Sequence, residues 1–167
     1  MSTEKALDRA LEKALRCDEG FLKWFVSKTK FRGDGPRWLW SRSDNPWCTV
    51  KLLLPDLQTG EHEMVARQGE TDVLLVFVFQ NEPERRLALH IENKLASGRF
   101  TRFQPEVYRA RAEKWVRNPR YGNYEDWDTV LLAPLLFHRQ HAEIAQRFGT
   151  FIAHEDVAHY LPSFRLP

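Results

Sequence analysis

Two neighbouring apolar runs near the middle of the chain constrain its fold most strongly. Val73–Phe79 is apolar throughout, and the mainly apolar run Leu87–Ile91 follows after the polar segment 80–86. Short apolar runs bounded by polar residues are typical of buried β-strands. The polar segment suits a hairpin, so we predict antiparallel neighbouring strands at 72–79 and 87–93.

Charged residues lie at the ends of both predicted strands. Asp72 opens the first strand at the end of Gly-Glu-Thr-Asp (69–72), whereas Glu92 and Lys94 close the second in Ile-Glu-Asn-Lys (91–94). A charge at the end of a buried strand is costly unless something compensates for it. Side chains two positions apart in a strand share a face, and a hairpin brings Asp72 near Glu92. This placement indicates a functional site.

The residues of this cluster suit the hydrolysis of a phosphodiester. Asp72, Glu92 and the backbone carbonyl of Asn93 would form a hard oxygen site for Mg²⁺ or Mn²⁺. Such an ion lowers the pKa of a bound water and offsets charge on the phosphate. Lys94 would orient the water and donate to the phosphate. The alternative is a pair of surface carboxylates with Lys94 as an exposed ion-pair partner.

The remaining pattern predicts a mixed sheet flanked by helices. Helical spacing or helix-start signals occur in five stretches, the first two forming an N-terminal helical segment of about 3–28: 3–16, 18–28, 105–116, 138–148 and 155–160. Further short strands are expected at four places: 49–54, 57–68 with a turn at Thr59-Gly60, 129–133 and 150–153. Two stretches are expected to be irregular: 30–48, which is rich in Gly, Pro and Trp, and 95–103.

Length and composition favour one globular domain over 1–167. The chain has 167 residues, of which 43% are hydrophobic. No apolar run approaches the ~20 residues of a membrane helix. The polar N-terminus does not resemble a signal peptide, and Cys17 and Cys48 suggest reduced thiols, so we expect a cytoplasmic protein. The basic excess over 99–120 suits a polyanion or, equally, a solvated helix face.

Three motifs in order resemble those of a known nuclease superfamily. Asp72 and Glu92-Asn93-Lys94 resemble the core of the PD-(D/E)XK superfamily. Gln104 and Tyr108 are similar to the Gln-x-x-x-Tyr motif of its RecB-type and lambda-exonuclease-type branches, and residues 69–72 are similar to their Gly-x-x-Asp form. The sequence Ile-Glu-Asn-Lys-Leu (91–95) resembles that of small stand-alone bacterial and phage-associated nuclease domains. Glu-x-Lys alone means little, but the ordered set is fairly specific.

The resemblance implies a restriction-endonuclease-like α/β (α+β) fold with a central mixed sheet of about four or five strands. It also implies a Mg²⁺- or Mn²⁺-dependent nuclease that acts on nucleic acid, most readily DNA. Asp72, Glu92 and the Asn93 carbonyl would hold the metal, and Lys94 would be the catalytic lysine. A first-helix glutamate would complete the site as a catalytic and metal-binding residue; Glu19 is the first choice for it and Glu12 the second.

Substrate contacts are expected on the helix that begins near Pro105 and on the loop before it. The residues concerned are Gln104, Tyr108, Arg99, Arg102 and Arg111. Pro105 departs from the family, which usually has an apolar residue after the glutamine, and it places Gln104 at the helix cap. His90 shares the face of Glu92, where we expect a satisfied sheet histidine rather than a ligand.

Two other kinds of function stay open at this stage. One is a module that keeps the nuclease fold and binds nucleic acid without turnover. The other is a structural subunit whose tryptophan-rich segment, with Trp38, Trp40 and Trp47, docks a larger partner. A homodimer or a larger complex is compatible with each reading, and no membrane partner is expected.

Overall fold

Seven strands and six α-helices form the fold of residues 3–165, the part of the chain that the computed structural model describes. The strands are β1 (Pro36–Arg42), β2 (Trp47–Pro55), β3 (His62–Glu70), β4 (Val73–Phe79), β5 (Glu82–Asn93), β6 (Asp126–Ala133) and β7 (Thr150–Ala153). The helices are α1 (Glu4–Cys17), α2 (Glu19–Ser27), α3 (Gln104–Lys114), α4 (Leu135–Gln140), α5 (Ala142–Ala145) and α6 (His154–Val157). Two 3₁₀ turns lie at Pro119–Tyr121 and Pro162–Phe164.

Five of the strands form one mixed sheet in the order β1-β4-β5-β6-β7. The central hairpin pairs β4 with β5 in antiparallel fashion, with Val73 opposite Ile91. β1 pairs antiparallel with β4, whereas β6 runs parallel to β5 and β7 parallel to β6. The predicted hairpin and the predicted central mixed sheet flanked by helices are confirmed.

Helices and aromatic side chains cover both faces of this sheet. On one face, Leu75 packs in a cluster with Leu11 of α1 and Phe21 of α2. On the other face, Leu74 packs in a cluster with Trp115, just after α3. All seven residues of β4 are buried, which explains an unbroken apolar run instead of an alternating one.

The N-terminal helices form where the sequence predicts them. The side chain of Thr3 accepts a hydrogen bond from the Ala6 N–H and caps α1. Asp18 ends α1 and caps α2 by accepting from the Phe21 N–H at 2.9 Å. Such caps satisfy main-chain donors that have no partner inside the helix. No helix within the described range 3–165 is long and apolar enough to cross a membrane.

The strands β2 and β3 form a separate two-stranded ribbon. Its inner face carries Val50, Leu52 and Leu54, which pack in a cluster with Val107 of α3. β3 begins later than its predicted start at 57, because the turn before it is longer and contains Gly60 in the left-handed region. The ribbon therefore lies over α3 and forms one wall of the cleft described below.

The structure corrects two other elements. The expected irregular segment 30–48 contains β1 and the start of β2, since proline is tolerated as the first residue of an edge strand. The expected helix 138–148 is instead the two short helices α4 and α5, which are separated by the non-helical backbone of His141. The predicted strands at 129–133 and 150–153 are confirmed, and β6 starts earlier, at Asp126.

Candidate active site

Most of the predicted site residues meet in one cleft of about 430 Å³ at the carboxyl end of β5. Its walls are the end of β3, the loop before α3, α3 itself and the first turn of α1. The predicted residues in its lining are Asp72, Glu92, Asn93, Lys94, Arg102, Gln104, Tyr108 and Arg111. Arg99 is exposed and does not line the cleft.

Asp72 is held from three sides at the entrance to β4. Its Oδ2 accepts a hydrogen bond from the Asn93 N–H at 2.8 Å, and its Oδ1 accepts one from Asn45 Nδ2 at 3.1 Å. The Asp72 N–H donates to the hydroxyl of Tyr108 at 3.2 Å. Tyr108 therefore fixes the backbone at this residue, which gives the tyrosine of the Gln-x-x-x-Tyr motif a physical role.

Glu92 lies at the centre of a second group of contacts. Its Oε1 lies 2.6 Å from Lys94 Nζ and accepts from Gln104 Nε2 at 2.7 Å. Gln104 is held in turn, since its Oε1 accepts from the Thr101 N–H at 3.1 Å. Gln104 is the first residue of α3, so the following Pro105 fits the first helical turn. The side-chain amide of Gln104 is therefore free to reach Glu92.

Carboxylates are concentrated around Asp72 within the cleft. Burial raises the pKa of Asp72 well above its usual range, and the nearby carboxylates of Glu92 and Asp8 raise it further. Lys94 lies among these groups and is nearly buried, with 12% of its side chain exposed. A hard cation between Asp72 and Glu92 would offset this charge, as such ions do in carboxylate sites.

The donor set fits an octahedral divalent ion that keeps part of its hydration. The N–H and the C=O of a strand residue point to the same side of the strand. The Asn93 N–H donates to Asp72, so the Asn93 carbonyl also faces the side on which Asp72 lies. Two carboxylates and a carbonyl leave positions for waters and phosphate oxygens, which Mg²⁺ prefers. No complete cluster of three or more His, Cys, Asp or Glu residues with metal-site geometry occurs within residues 3–165.

Asp8 is a buried neighbour of the site that sequence reasoning missed. This residue of α1 is 1% exposed, and its Oδ1 accepts from Asn93 Nδ2 at 2.7 Å. On the other side, Asn93 Oδ1 lies 2.8 Å from Nε2 of the buried His154. Asp8 lies on the apolar stripe of α1 with Leu11 and Leu15, so a charge at a core position was the available signal.

The structure does not bring Glu19 together with Asp72 and Glu92, since Glu19 is absent from the lining of this cleft. Glu19 is exposed in the first turn of α2, where it lines another concavity with Lys23 and Arg37. The Asp18 cap between the two helices separates Glu19 from α1, the helix that reaches the site. Glu12, the second choice, accepts from the Ser41 hydroxyl instead.

Arg111 lines the cleft but is buried, and it holds the main chain before Asp72 in position. Its Nε donates to Thr71 Oγ1 at 2.8 Å, and its Nη2 donates to the Glu70 carbonyl. The guanidinium carbon lies 4.4 Å from the centre of the Tyr108 ring, within the range of a cation–π contact. A Cβ at Gly69 would lie 2.7 Å from Nη1, so the glycine of Gly-x-x-Asp permits this close approach.

His90 is the satisfied sheet histidine that the sequence predicts. Its Nδ1 lies 3.2 Å from Thr71 Oγ1, and its Nε2 lies 3.0 Å from the hydroxyl of Tyr124. Complete burial and the positive charge of Arg111 hold the pKa of His90 well below its usual range. A neutral His90 thus connects Thr71 and Tyr124 beneath the cleft and takes no part in its lining.

Replacing Asp8 by asparagine changes how stability depends on pH. Burial raises the pKa of Asp8 from 3.8 to about 6, so the folded chain holds this proton more tightly than the unfolded chain. As the pH rises from about 4 to about 7, the wild type is expected to lose up to about 3 kcal/mol relative to Asp8→Asn. Urea denaturation of both proteins in chelator measures the difference.

The comparison of the two proteins isolates Asp8 from other titrating groups. Burial lowers the pKa of His154 to about 4, which makes stability increase with pH over much of the same range. His154 is present in both proteins, so its contribution largely cancels. A difference in unfolding free energy that stays constant with pH would contradict the assignment.

Comparisons with protein-family models, curated proteins and solved structures found no match to this chain.

Proposed function

We propose that this chain is a divalent-metal-dependent nuclease of the PD-(D/E)XK type, with a restriction-endonuclease-like fold and DNA as its first candidate substrate. The observation that carries the proposal is the convergence of Asp72, Glu92 and Lys94 in one cleft. The same cleft contains Gln104 and Tyr108, in contact with that cluster. Three separate sequence motifs thus meet through direct hydrogen bonds of their side chains and main chain.

Each residue of this cluster would have a separate role around a phosphodiester. Asp72, Glu92 and the Asn93 carbonyl would hold Mg²⁺ or Mn²⁺, which when bound supplies Lewis-acid charge and acidifies a coordinated water. Lys94 would donate hydrogen bonds to a phosphate oxygen or to the attacking water. Glu92 holds the ammonium of Lys94 in place, and Gln104 holds Glu92.

Cleavage of plasmid DNA and of circular single-stranded DNA tests this proposal directly. With Mg²⁺ or Mn²⁺ the wild type is expected to nick or degrade at least one substrate, and chelator is expected to stop it. Lys94→Ala is expected to reduce the rate by about 10²-fold or more, because a positioned donor at the reacting group is lost. Lys13→Ala, which removes an exposed lysine of α1, is the matched control.

Two results would contradict the enzyme proposal. One is the absence of any cleavage with either metal by a folded wild-type protein. The other is cleavage by Lys94→Ala at the rate of Lys13→Ala, which would indicate a contaminating nuclease.

A nucleic-acid-binding module without turnover is the second candidate. The observation that favours it is the presence of Arg67, Arg102 and Arg111 in the cleft lining, since arginines can bind phosphates without any turnover. This candidate predicts binding with a steep salt dependence, no products, and no loss of binding in Lys94→Ala beyond that of one phosphate contact.

A further inference from the structure

A second concavity, at the ribbon, adjoins the candidate active site. This concavity has a volume of about 350 Å³ and lies between the tip of the β2–β3 ribbon and the residues that precede α3. Arg67 of β3 and Arg102 of the loop line both concavities. They therefore adjoin at these two arginines, and the combined groove leads from Lys94 towards Leu57 at the ribbon tip.

The two arginines face this groove from opposite walls without an acidic partner. Neither guanidinium forms an ion pair with a carboxylate of residues 3–165. Arg67 Nη1 donates to the carbonyl of its neighbour Ala66 at 3.1 Å. Arg102 stacks on the ring of Phe103, with its guanidinium carbon 4.8 Å from the ring centre. Both charges are therefore available to an anion in the groove.

The free edge of β3 adds a main-chain donor to the same wall. The Thr71 N–H donates to the Pro46 carbonyl, and the Asp56 N–H donates to the Glu61 carbonyl. These two bonds show which main-chain groups point towards the partner strand, because this direction alternates from residue to residue along an antiparallel strand. The N–H and C=O of Gln68 and Glu70 consequently point away from β2. The Glu70 carbonyl accepts from Arg111, so this edge faces the cleft. The Gln68 N–H points the same way, and backbone N–H groups are common phosphate contacts.

The far part of the groove, beyond the two arginines, carries apolar side chains. Leu57 is 84% exposed, and Phe103 lies half-buried opposite it. Phe103 has a φ of 59°, a left-handed conformation that is uncommon for a bulky residue and is associated with functional positions. Asp56 and Glu63 also line this part, but Asp56 already accepts from the main chain of the turn, at Gln58 and Thr59.

We propose that the two concavities form one track for a single, unpaired strand of nucleic acid. Phosphates would contact Arg67, Arg102 and the Gln68 N–H, while unpaired bases would stack on Phe103 and contact Leu57. Leu57 and Phe103 offer apolar surface to the faces of bases, which are accessible in an unpaired strand and are stacked inside a base-paired helix. The track rests on the proposed nuclease function and adds that the substrate is single-stranded where it binds.

Fluorescence anisotropy with labelled oligothymidylate tests the track apart from catalysis. The titrations contain Ca²⁺, a hard cation that prefers oxygen ligands, and electrophoresis verifies that the oligonucleotide stays intact. Removing both arginines (Arg67→Ala with Arg102→Ala) is expected to weaken binding about tenfold or more. The slope of log K against log salt is expected to become shallower by about 1.4, since each phosphate contact on a single strand contributes about 0.7. Arg9→Ala with Arg139→Ala, which removes two exposed arginines elsewhere, is the control.

Competition between oligothymidylate and a blunt duplex of equal length tests the form of the substrate. The track predicts tighter binding of the single strand, and Phe103→Leu is expected to weaken this preference while keeping an apolar side chain. Equal or tighter binding of the duplex, or an unchanged salt slope in the double arginine variant, would overturn the track. If Lys94-dependent cleavage persists in that case, the proposed nuclease function stands. If the wild type neither binds nor cleaves, both proposals fail.

Discussion

Asp72→Asn is expected to abolish metal-dependent cleavage while leaving the chain at least as stable as the wild type in chelator at neutral pH. The loss of activity should exceed 10³-fold, because the substitution removes a carboxylate that the proposed metal site requires. The gain in stability follows from burial. The pKa of Asp72 is raised well above its usual range, first by burial and then by Glu92 and Asp8, so its ionised form costs free energy in the folded state.

The sign of the pH effect follows from this raised pKa. The folded wild type binds the Asp72 proton more tightly than the unfolded chain, so it loses stability as the pH rises from the unfolded pKa through the folded one. Asparagine has no such proton and no such loss. The stability of the variant relative to the wild type should therefore increase as the pH rises above the usual pKa range of an aspartate.

Thermal denaturation with chelator and with Mg²⁺ separates the two effects. Mg²⁺ should raise the melting temperature of the wild type, since a ligand of the folded state stabilises it by mass action, and should raise that of Asp72→Asn much less. Asp34→Asn, at an exposed position, is the control. A variant that still cleaves, or one that melts well below the wild type at neutral pH in chelator, would contradict the role given to Asp72.

The largest loss of stability is expected for Arg111→Ala, at about 3 kcal/mol or more. The substitution removes the donor to Thr71 Oγ1, which keeps only His90 as a partner, and the donor to the Glu70 carbonyl; a buried polar group left unpaired costs about 1–3 kcal/mol. It also removes the contact with the Tyr108 ring and leaves a space between α3 and β3. Nη1 of Arg111 has no hydrogen-bond partner within residues 3–165. Its removal therefore breaks no hydrogen bond, which limits the expected loss of stability.

Urea denaturation of Arg111→Ala and Arg109→Ala measures this effect with the helix held constant. Arg109 is exposed on the same helix, so its substitution should change the unfolding free energy by less than about 0.5 kcal/mol. Equal stability of the two variants would show that the buried contacts of Arg111 contribute little. In that case the guanidinium would be better explained as a substrate contact, as the sequence first suggests.

The centre of the fold and of the site is predictable from sequence because its signals are local. The apolar run of β4 and the hairpin that follows it place Asp72 beside Glu92, and strand alternation places Lys94 with Glu92. Gln104 and Tyr108 lie one helical turn apart, so both face the same cleft. Each of these steps needs only strand or helix periodicity.

The parts that sequence reasoning missed depend on contacts that are distant along the chain. Asp8 meets Asn93 across 85 residues, and only its position on an apolar helix stripe indicates that it is buried. β1 contains Pro36 and neighbours several turn-forming residues, yet it is a strand because it pairs with the edge of β4. Glu19 was selected by resemblance, and the Asp18 cap that separates it from α1 was not anticipated.

The central hairpin has a consequence for the order in which the chain folds. Asp72 and Asn93 are only 21 residues apart, and the strands between them close through a tight turn after Phe79. Hairpins form in about 1–10 μs, whereas β6 and β7 join the sheet through much longer loops that cost more entropy to close. The carboxylates of Asp72 and Glu92 therefore approach each other early in folding, before most of the cleft walls exist. Their repulsion acts first on the rate of hairpin closure, so a divalent cation or a lower pH should accelerate refolding.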